Sequence, residues 1–385
     1  MRTSTHSPLP LVDVGRQHAG LEAELRAAFA RVLASSRFIL GDEVVKFQEE
    51  IASYLGVEAA LGVSSGTDAL ILALKALGVG PGDEVITTPF SFFASVGSIL
   101  SVGATPRFAD IEPDGLNMDP DRVESLIGPR TRAVLCVHLF GEPAQTQRLR
   151  ALCDAHKLFL VEDAAQAMGA SRDGAQVGSI GHVGCFSFFP SKPLGALGDG
   201  GLITTSDSEV AERCRLLRAH GATRPHHHEL LGGNHRLDAL QAAFLRVKLP
   251  QLDVWQRARA THAQAYDQAF SACPALIKPR EQVPGLRSAH AHYTLRLAPS
   301  ANQNRAVLKV ALAQRGIDTA IYYERPLYQQ PVPELQRSLS GSEAAECPNA
   351  ERRAQEVLSI PLFPELTVTE RDHVIASVLE CISGF

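Results

Sequence analysis

Short, nearly uninterrupted apolar runs alternate with helix-patterned segments from about residue 57 to residue 205, and no other feature limits the fold so tightly. The pattern predicts strands from Ala59 to Val63, Glu84 to Thr88, Thr105 to Ile111, Ala133 to Leu139, Leu158 to Val161, Gly184 to Phe188 and Gly201 to Thr205. Helical spacing fills residues 65–77, 92–102, 119–126 and 145–156. A strand that is apolar throughout cannot keep one face in water. The fold class expected is therefore α/β, a mainly parallel sheet covered by helices on both faces. In such a sheet, ligands bind at the carboxyl ends of the strands.

After Ser206 the pattern changes. Helices are expected over 209–218, 237–247 and 252–270, with Pro250 between the last two in what reads as a long connecting helix. A strand at 293–297, a helix at 305–315, a strand at 319–323 and helices at 349–358 and 370–381 follow. The expected division is an N-terminal arm (1–14), a large domain (15–250) and a smaller C-terminal α/β domain (251–385).

A net charge of −5 is too mild to point to nucleic acid or a membrane surface as partner, so any anion site must be local. The seven cysteines are scattered and form no CxxC pair, which fits reduced thiols in a cytoplasmic protein. No leader pattern or membrane-length apolar run is evident. His226-His-His228, with His220 and His235 nearby, lacks acidic or cysteine ligands at regular spacing; it reads as a polar loop, and no metal is expected.

Five stretches carry chemistry, and the first four fall at or just beyond a strand end. Cys185-Phe-Ser-Phe-Phe-Pro-Ser-Lys-Pro-Leu-Gly195 delivers Lys192 into a small-residue loop. Desolvation there lowers the amine's proton affinity, and a neutral amine can condense with an aldehyde. Val63-Ser-Ser-Gly-Thr-Asp68 opens a helix, where Gly66 admits a close ligand and the first-turn N–H groups, with Ser65 and Thr67, form a phosphate cradle. The same residues also suit an ordinary helix cap. Asp163, at the end of Val161-Glu-Asp-Ala-Ala-Gln166, can hold a pyridine nitrogen protonated, and Gln166 can donate to a ring oxygen. Thr88-Pro-Phe-Ser-Phe-Phe93 offers three phenylalanines as a face for an aromatic ring, or as core. Gly232-Gly-Asn-His-Arg-Leu-Asp238 adds Asn234 and Arg236 as anion donors, and Ser187 adds a hydroxyl.

With these stretches in order, the chain resembles the DegT/StrS-type sugar aminotransferases, which are fold-type I pyridoxal 5'-phosphate (PLP) enzymes. The likeness runs from about Pro10 to Leu379. It includes Ile39-Leu-Gly-Asp-Glu43, Pro81-Gly-Asp-Glu-Val-Ile86, Val137-His-Leu-Phe-Gly141 and Asp199-Gly-Gly201. The resemblance implies a PLP/PMP cofactor held covalently by Lys192, with Asp163 at the ring nitrogen and Gln166 near the ring hydroxyl. Phe92 would stack on the ring, and Gly66, Thr67 and Ser187 would hold the phosphate. Asn234 would reach the phosphate of the neighbouring subunit, with Arg236 in the same loop, in a homodimer with shared active sites. The implied reaction moves an amino group from L-glutamate to a nucleotide-linked keto sugar. Family members that act as sugar dehydratases carry histidine at the lysine position, so Lys192 argues for amino transfer over that lyase alternative; a non-catalytic regulator of the same fold is the other alternative. The chain departs from the family at Ser191-Lys-Pro-Leu194, where asparagine is common in place of Pro193. It departs again at Tyr323-Glu-Arg-Pro-Leu-Tyr328, where Tyr328 stands for a histidine. His138, Pro193, Tyr323 and Tyr328 are the positions expected near the acceptor.

Overall fold

The computed structural model describes residues 8–279, 283–299, 301, 304–340 and 346–383. Its centre is a seven-stranded sheet made of β1 (Ala59–Val63), β2 (Glu84–Thr87), β3 (Thr105–Phe108), β4 (Thr131–Val137), β5 (Phe159–Asp163), β6 (Val183–Ser187) and β7 (Gly201–Thr205). The strands lie in the order β1-β7-β6-β5-β4-β2-β3. β7 runs antiparallel to both its neighbours, and the other pairings are parallel. All seven strands expected from the apolar runs form; apart from the half-buried edge strand β3, they are buried almost throughout because helices cover both faces.

Helix ends follow local chemistry. Gly66–Ala76 starts where the Ser65 hydroxyl accepts the Asp68 N–H, and Asp42–Leu55 stops at Gly56, whose φ of 68° suits a residue without Cβ. The helices Glu22–Ser35 and Asp42–Leu55 pack on Ala239–Lys248 and form a second core with Phe186 of β6 and with Phe188 and Leu194 from the lysine loop. These N-terminal helices are not among the elements expected from the sequence. Ala239–Lys248 runs through a single 3-10 turn (Leu249–Gln251) into the long helix Leu252–Phe270, as the proline between them suggested.

The C-terminal part builds a three-stranded antiparallel sheet from Leu276–Ile277, Tyr293–Leu297 and Val357–Ile360. Two expectations fail here. Residues 319–323 form no strand; only Ala320 bridges, to Ser359. Tyr322 and Tyr323 both face the cavity described below, and neighbours in a strand point to opposite sides. The helix expected over 349–358 ends at Glu356, because Val357–Ile360 pairs with Tyr293–Leu297. There tertiary pairing of a buried apolar run overrides helical spacing.

Candidate active site

One glycine lets the carboxyl ends of β1 and β6 meet across β7, and β5 lies beside β6. Gly201, the first residue of β7, pairs with Val63 on one side and Ser187 on the other. A Cβ there would meet the Ser65 carbonyl oxygen at 2.3 Å. With no side chain in the way, the start of Gly66–Ala76 lies directly against Ser187. Gly66 is constrained in turn: its Cβ would sit 2.7 Å from the Ser187 Cβ. Helix geometry leaves the N–H groups of Gly66 and Thr67 without intrahelical acceptors. The result is a small-residue cradle for an anion.

A cavity of about 400 Å³ opens from this cradle. Gly66, Thr67, Phe92, Asp163, Gln166, Ser187, Lys192 and Tyr323 all line it, so most of the residues singled out in the sequence come together. Of the three phenylalanines, only Phe92 serves the cavity, at 61% exposure; Phe90 is fully buried and Phe93 packs on the main core. Gln166 accepts the Phe140 N–H at 2.7 Å, which fixes its amide.

Asp163 is buried at the end of β5. Burial raises its proton affinity, against hydrogen bonds from Ser95 Oγ (2.8 Å) and the Ala165 N–H (3.2 Å) and the nearby Lys192 charge. A buried carboxylate of that kind favours a cationic partner in the cavity. Lys192 is shifted the opposite way. Desolvation lowers its proton affinity, and the Asp163 charge only partly restores it. The lysine N–H closes a tight turn by donating to the Phe189 carbonyl at 2.9 Å, which sets the side chain at the cavity wall.

Three of the expected acceptor residues lie elsewhere. His138 is fully buried, and both of its ring nitrogens are bonded: Nδ1 accepts the Ala144 N–H at 3.0 Å and Nε2 faces Glu162 at 2.9 Å. Glu162 also accepts N–H groups from Gly178, Ile180 and Gly181; against its burial, the His138 bond first and then the Gly181 and Gly178 N–H groups hold its proton affinity below the ordinary carboxylate range. The pair ties the end of β4 to β5, and neither residue lines the cavity. Pro193 is buried beneath the lysine loop and lines no part of the cavity. Tyr328 packs on Phe108 and donates to Glu351 at 2.6 Å, outside the cavity. Asn234 and Arg236 also lie outside it. Their loop is tied to its own chain, with Arg236 bridging Val63 and Asn234 bridging Ala219. The Arg236 Nε is buried without a hydrogen-bond partner.

The sequence reading missed Ser91, Ser95, His292 and Tyr322. Ser91, His292 and Tyr322 line the cavity, and Ser95 stands behind Asp163. His292 packs against the Tyr322 ring at 4.9 Å. Burial, with Lys192 and Arg259 nearby, pushes its proton affinity down to about 3, so it is neutral. Their hydroxyls carry no sequence signal of their own: Ser91 lies just before the helix Ala94–Ser101 and Ser95 within it.

The sheet order, the strand-end lysine and the carboxylate facing it define a fold-type I transferase architecture. Residues 20–379 match the DegT/DnrJ/EryC1/StrS aminotransferase family. The chain is 43% identical to a pleiotropic regulatory protein of Geobacillus stearothermophilus, across 98% of this chain and 99% of that protein. It is 40% identical to a UDP-N-acetyl-3-dehydro-α-D-glucosamine 3-aminotransferase of Acidithiobacillus ferrooxidans, across 98% of each. The crystal structure of DesV from Streptomyces venezuelae, in complex with a ketimine intermediate, superposes with a TM-score of 0.91 at 41% identity, covering 97% of this chain and 98% of that one. The chain belongs to the DegT/DnrJ/EryC1/StrS aminotransferase family, and it is an aminotransferase.

Proposed function

We propose that this protein is a PLP-dependent aminotransferase that moves an amino group from L-glutamate to a nucleotide-linked keto sugar. The observation that carries the reading is the meeting of Lys192, Asp163 and the Gly66–Thr67–Ser187 cradle in one cavity. These residues suit PLP. The cradle offers N–H groups and hydroxyls to a phosphate, and the buried Asp163 favours a protonated heterocycle. Phe92 presents an exposed ring for stacking, and Lys192 has an amine that burial pushes toward the neutral, nucleophilic form. The 3-aminotransferase relative, named for a UDP-linked sugar, supports the acceptor class.

PLP bound there supplies an electron sink for the carbanion of an amino acid. The chain's own residues do the rest. Lys192 Nζ takes the proton from the donor's α-carbon, and its partial burial keeps water from competing for it. Asp163 would hold the ring nitrogen protonated. Gln166, its oxygen already committed to the Phe140 N–H, turns its amide N–H groups inward. Neutral His292 packs on Tyr322, and with Tyr323 these rings form an apolar wall on the side of the incoming acceptor. Asn234 and Arg236 act across a homodimer interface in this reading, which accounts for their absence from the cavity of their own chain. Exposed Phe29, Leu33, Phe38, Ile39 and Leu197 supply apolar surface for that contact. Among the described residues no helix is long and apolar enough to cross a membrane, and the reading places the enzyme in the cytoplasm.

A screen of keto-sugar nucleotides with glutamate, read by mass, tests the substrate class. An amino sugar nucleotide is the expected product. A deoxy sugar without a new amine, or no product from any nucleotide-linked ketone, would overturn the proposal. Gly66→Ala tests the cradle: the added methyl must push the Ser187 backbone, only 3.2 Å from it. Overpacking of this size should weaken PLP retention about tenfold or more, measured as the dissociation constant of the cofactor.

A further inference from the structure

The Asp163 carboxylate is held by two donors. Ser95 Oγ–H reaches Oδ2 at 2.8 Å, and the Ala165 N–H reaches Oδ1 at 3.2 Å. Among the described residues, Ser95 is the one side chain seen bonded to that carboxylate. Ser95 is fully buried, and its Oγ also lies 2.9 Å from the Ser91 Oγ. A hydroxyl has a single proton, and an ionised carboxylate can only accept. The Ser95 proton therefore points to Asp163, and the proton between the two serines belongs to Ser91. Ser91 lines the cavity and keeps its own oxygen as an acceptor there. The chain of bonds has one direction, from Ser91 to Ser95 to Asp163.

The placement follows from local structure. Ser91 sits in the turn before the helix Ala94–Ser101, and Ser95 stands four residues on, over the same face. The Ser95 N–H donates to the Phe92 carbonyl at 3.2 Å. One short segment thus carries both the exposed Phe92 ring and the hydroxyl relay to Asp163.

We infer that Ser95, backed by Ser91, is a positioning residue that keeps Asp163 ionised in one orientation, so that the shared proton stays on the ring nitrogen of the cofactor. The inference rests on the PLP reading above. Burial favours the neutral carboxyl, and a charge-assisted hydrogen bond favours the carboxylate. Without the Ser95 hydroxyl, Asp163 competes for the ring proton, and the ring withdraws electrons less well.

The test loads PLP labelled with nitrogen-15 at the ring onto the wild-type protein and onto Ser95→Ala, Ser91→Ala and Ser98→Ala. Ser98 lies on the same helix, but its hydroxyl donates to the Ser95 carbonyl at 3.0 Å and not to Asp163. In Ser95→Ala the ring resonance should move toward that of an unprotonated nitrogen. The kcat should fall about ten- to hundredfold with little change in the KM for the amino donor. Ser91→Ala, which removes no bond to Asp163, should move the resonance less and in the same direction; it keeps the test alive if Ser95→Ala does not fold. Ser98→Ala should leave the resonance in place. An unmoved resonance in both Ser95→Ala and Ser91→Ala would overturn the inference, as would a Ser98→Ala resonance displaced as far as that of Ser95→Ala. A wild-type protein that takes up no PLP would overturn the PLP reading and this inference together.

Discussion

Lys192→Ala is expected to lower amino transfer by at least about a thousandfold while leaving the fold in place. In the proposed mechanism the amine has two tasks, nucleophile and proton carrier, and neither of the nearest titratable cavity groups suits them. Tyr323 lines the same cavity, but burial and the Asp163 charge hold its hydroxyl protonated. His292 is neutral and packed against an aromatic ring. The folded state should tolerate the change, because burial already disfavours the lysine charge that would be lost. Steady-state rates and a melting curve check both parts. Exogenous small amines should restore some of the activity, since the cavity vacated by the side chain faces the reacting carbon in this reading.

Asp163→Asn should lower kcat about a hundred- to a thousandfold, because an amide keeps the shape but cannot hold a positive charge at the ring nitrogen. The same change should stabilise the cofactor-free protein. Burial raises the folded-state proton affinity of Asp163 above that of an exposed aspartate. Below the ordinary carboxylate range the group is protonated in both folded and unfolded chains, and it costs nothing. As the pH rises through the ordinary value and then the folded one, the unfolded chain ionises more readily, and the wild-type protein loses stability. Asparagine has no such burden. The melting temperature of the cofactor-free variant should therefore exceed that of the wild type at neutral pH, and the gap should close in acid. A variant with full activity, or one whose gap is constant with pH, would contradict this role for Asp163.

The parallel sheet was legible because its strands are buried on both faces, and continuous apolar runs have few other uses. Lys192, Asp163 and the Gly66 turn were legible because they sit at strand ends beside small residues. Lowered proton affinity alone would not have found the lysine. Lys248 is also buried, and its affinity falls to about 8, but it lies beside His18 and over the Trp255 ring, away from the cavity. What the sequence could not reveal was direction. His138 follows β4 as a substrate residue would, yet its ring turns inward to Glu162. Tyr328 follows Tyr323 by five positions, but its hydroxyl is drawn to Glu351, a residue on a helix far along the chain. Ser95 was hidden for the converse reason: a serine in an apolar helix looks like filler until the partner of its hydroxyl is known.

The central claim is that Lys192 carries the cofactor. Reducing the PLP-loaded protein with borohydride fixes the carbon–nitrogen bond, and peptide mapping by mass then locates it. A single pyridoxyl group on the peptide that contains Lys192 is the predicted result. A group on Lys248 or any other lysine, or no modified peptide from fully loaded protein, would contradict it.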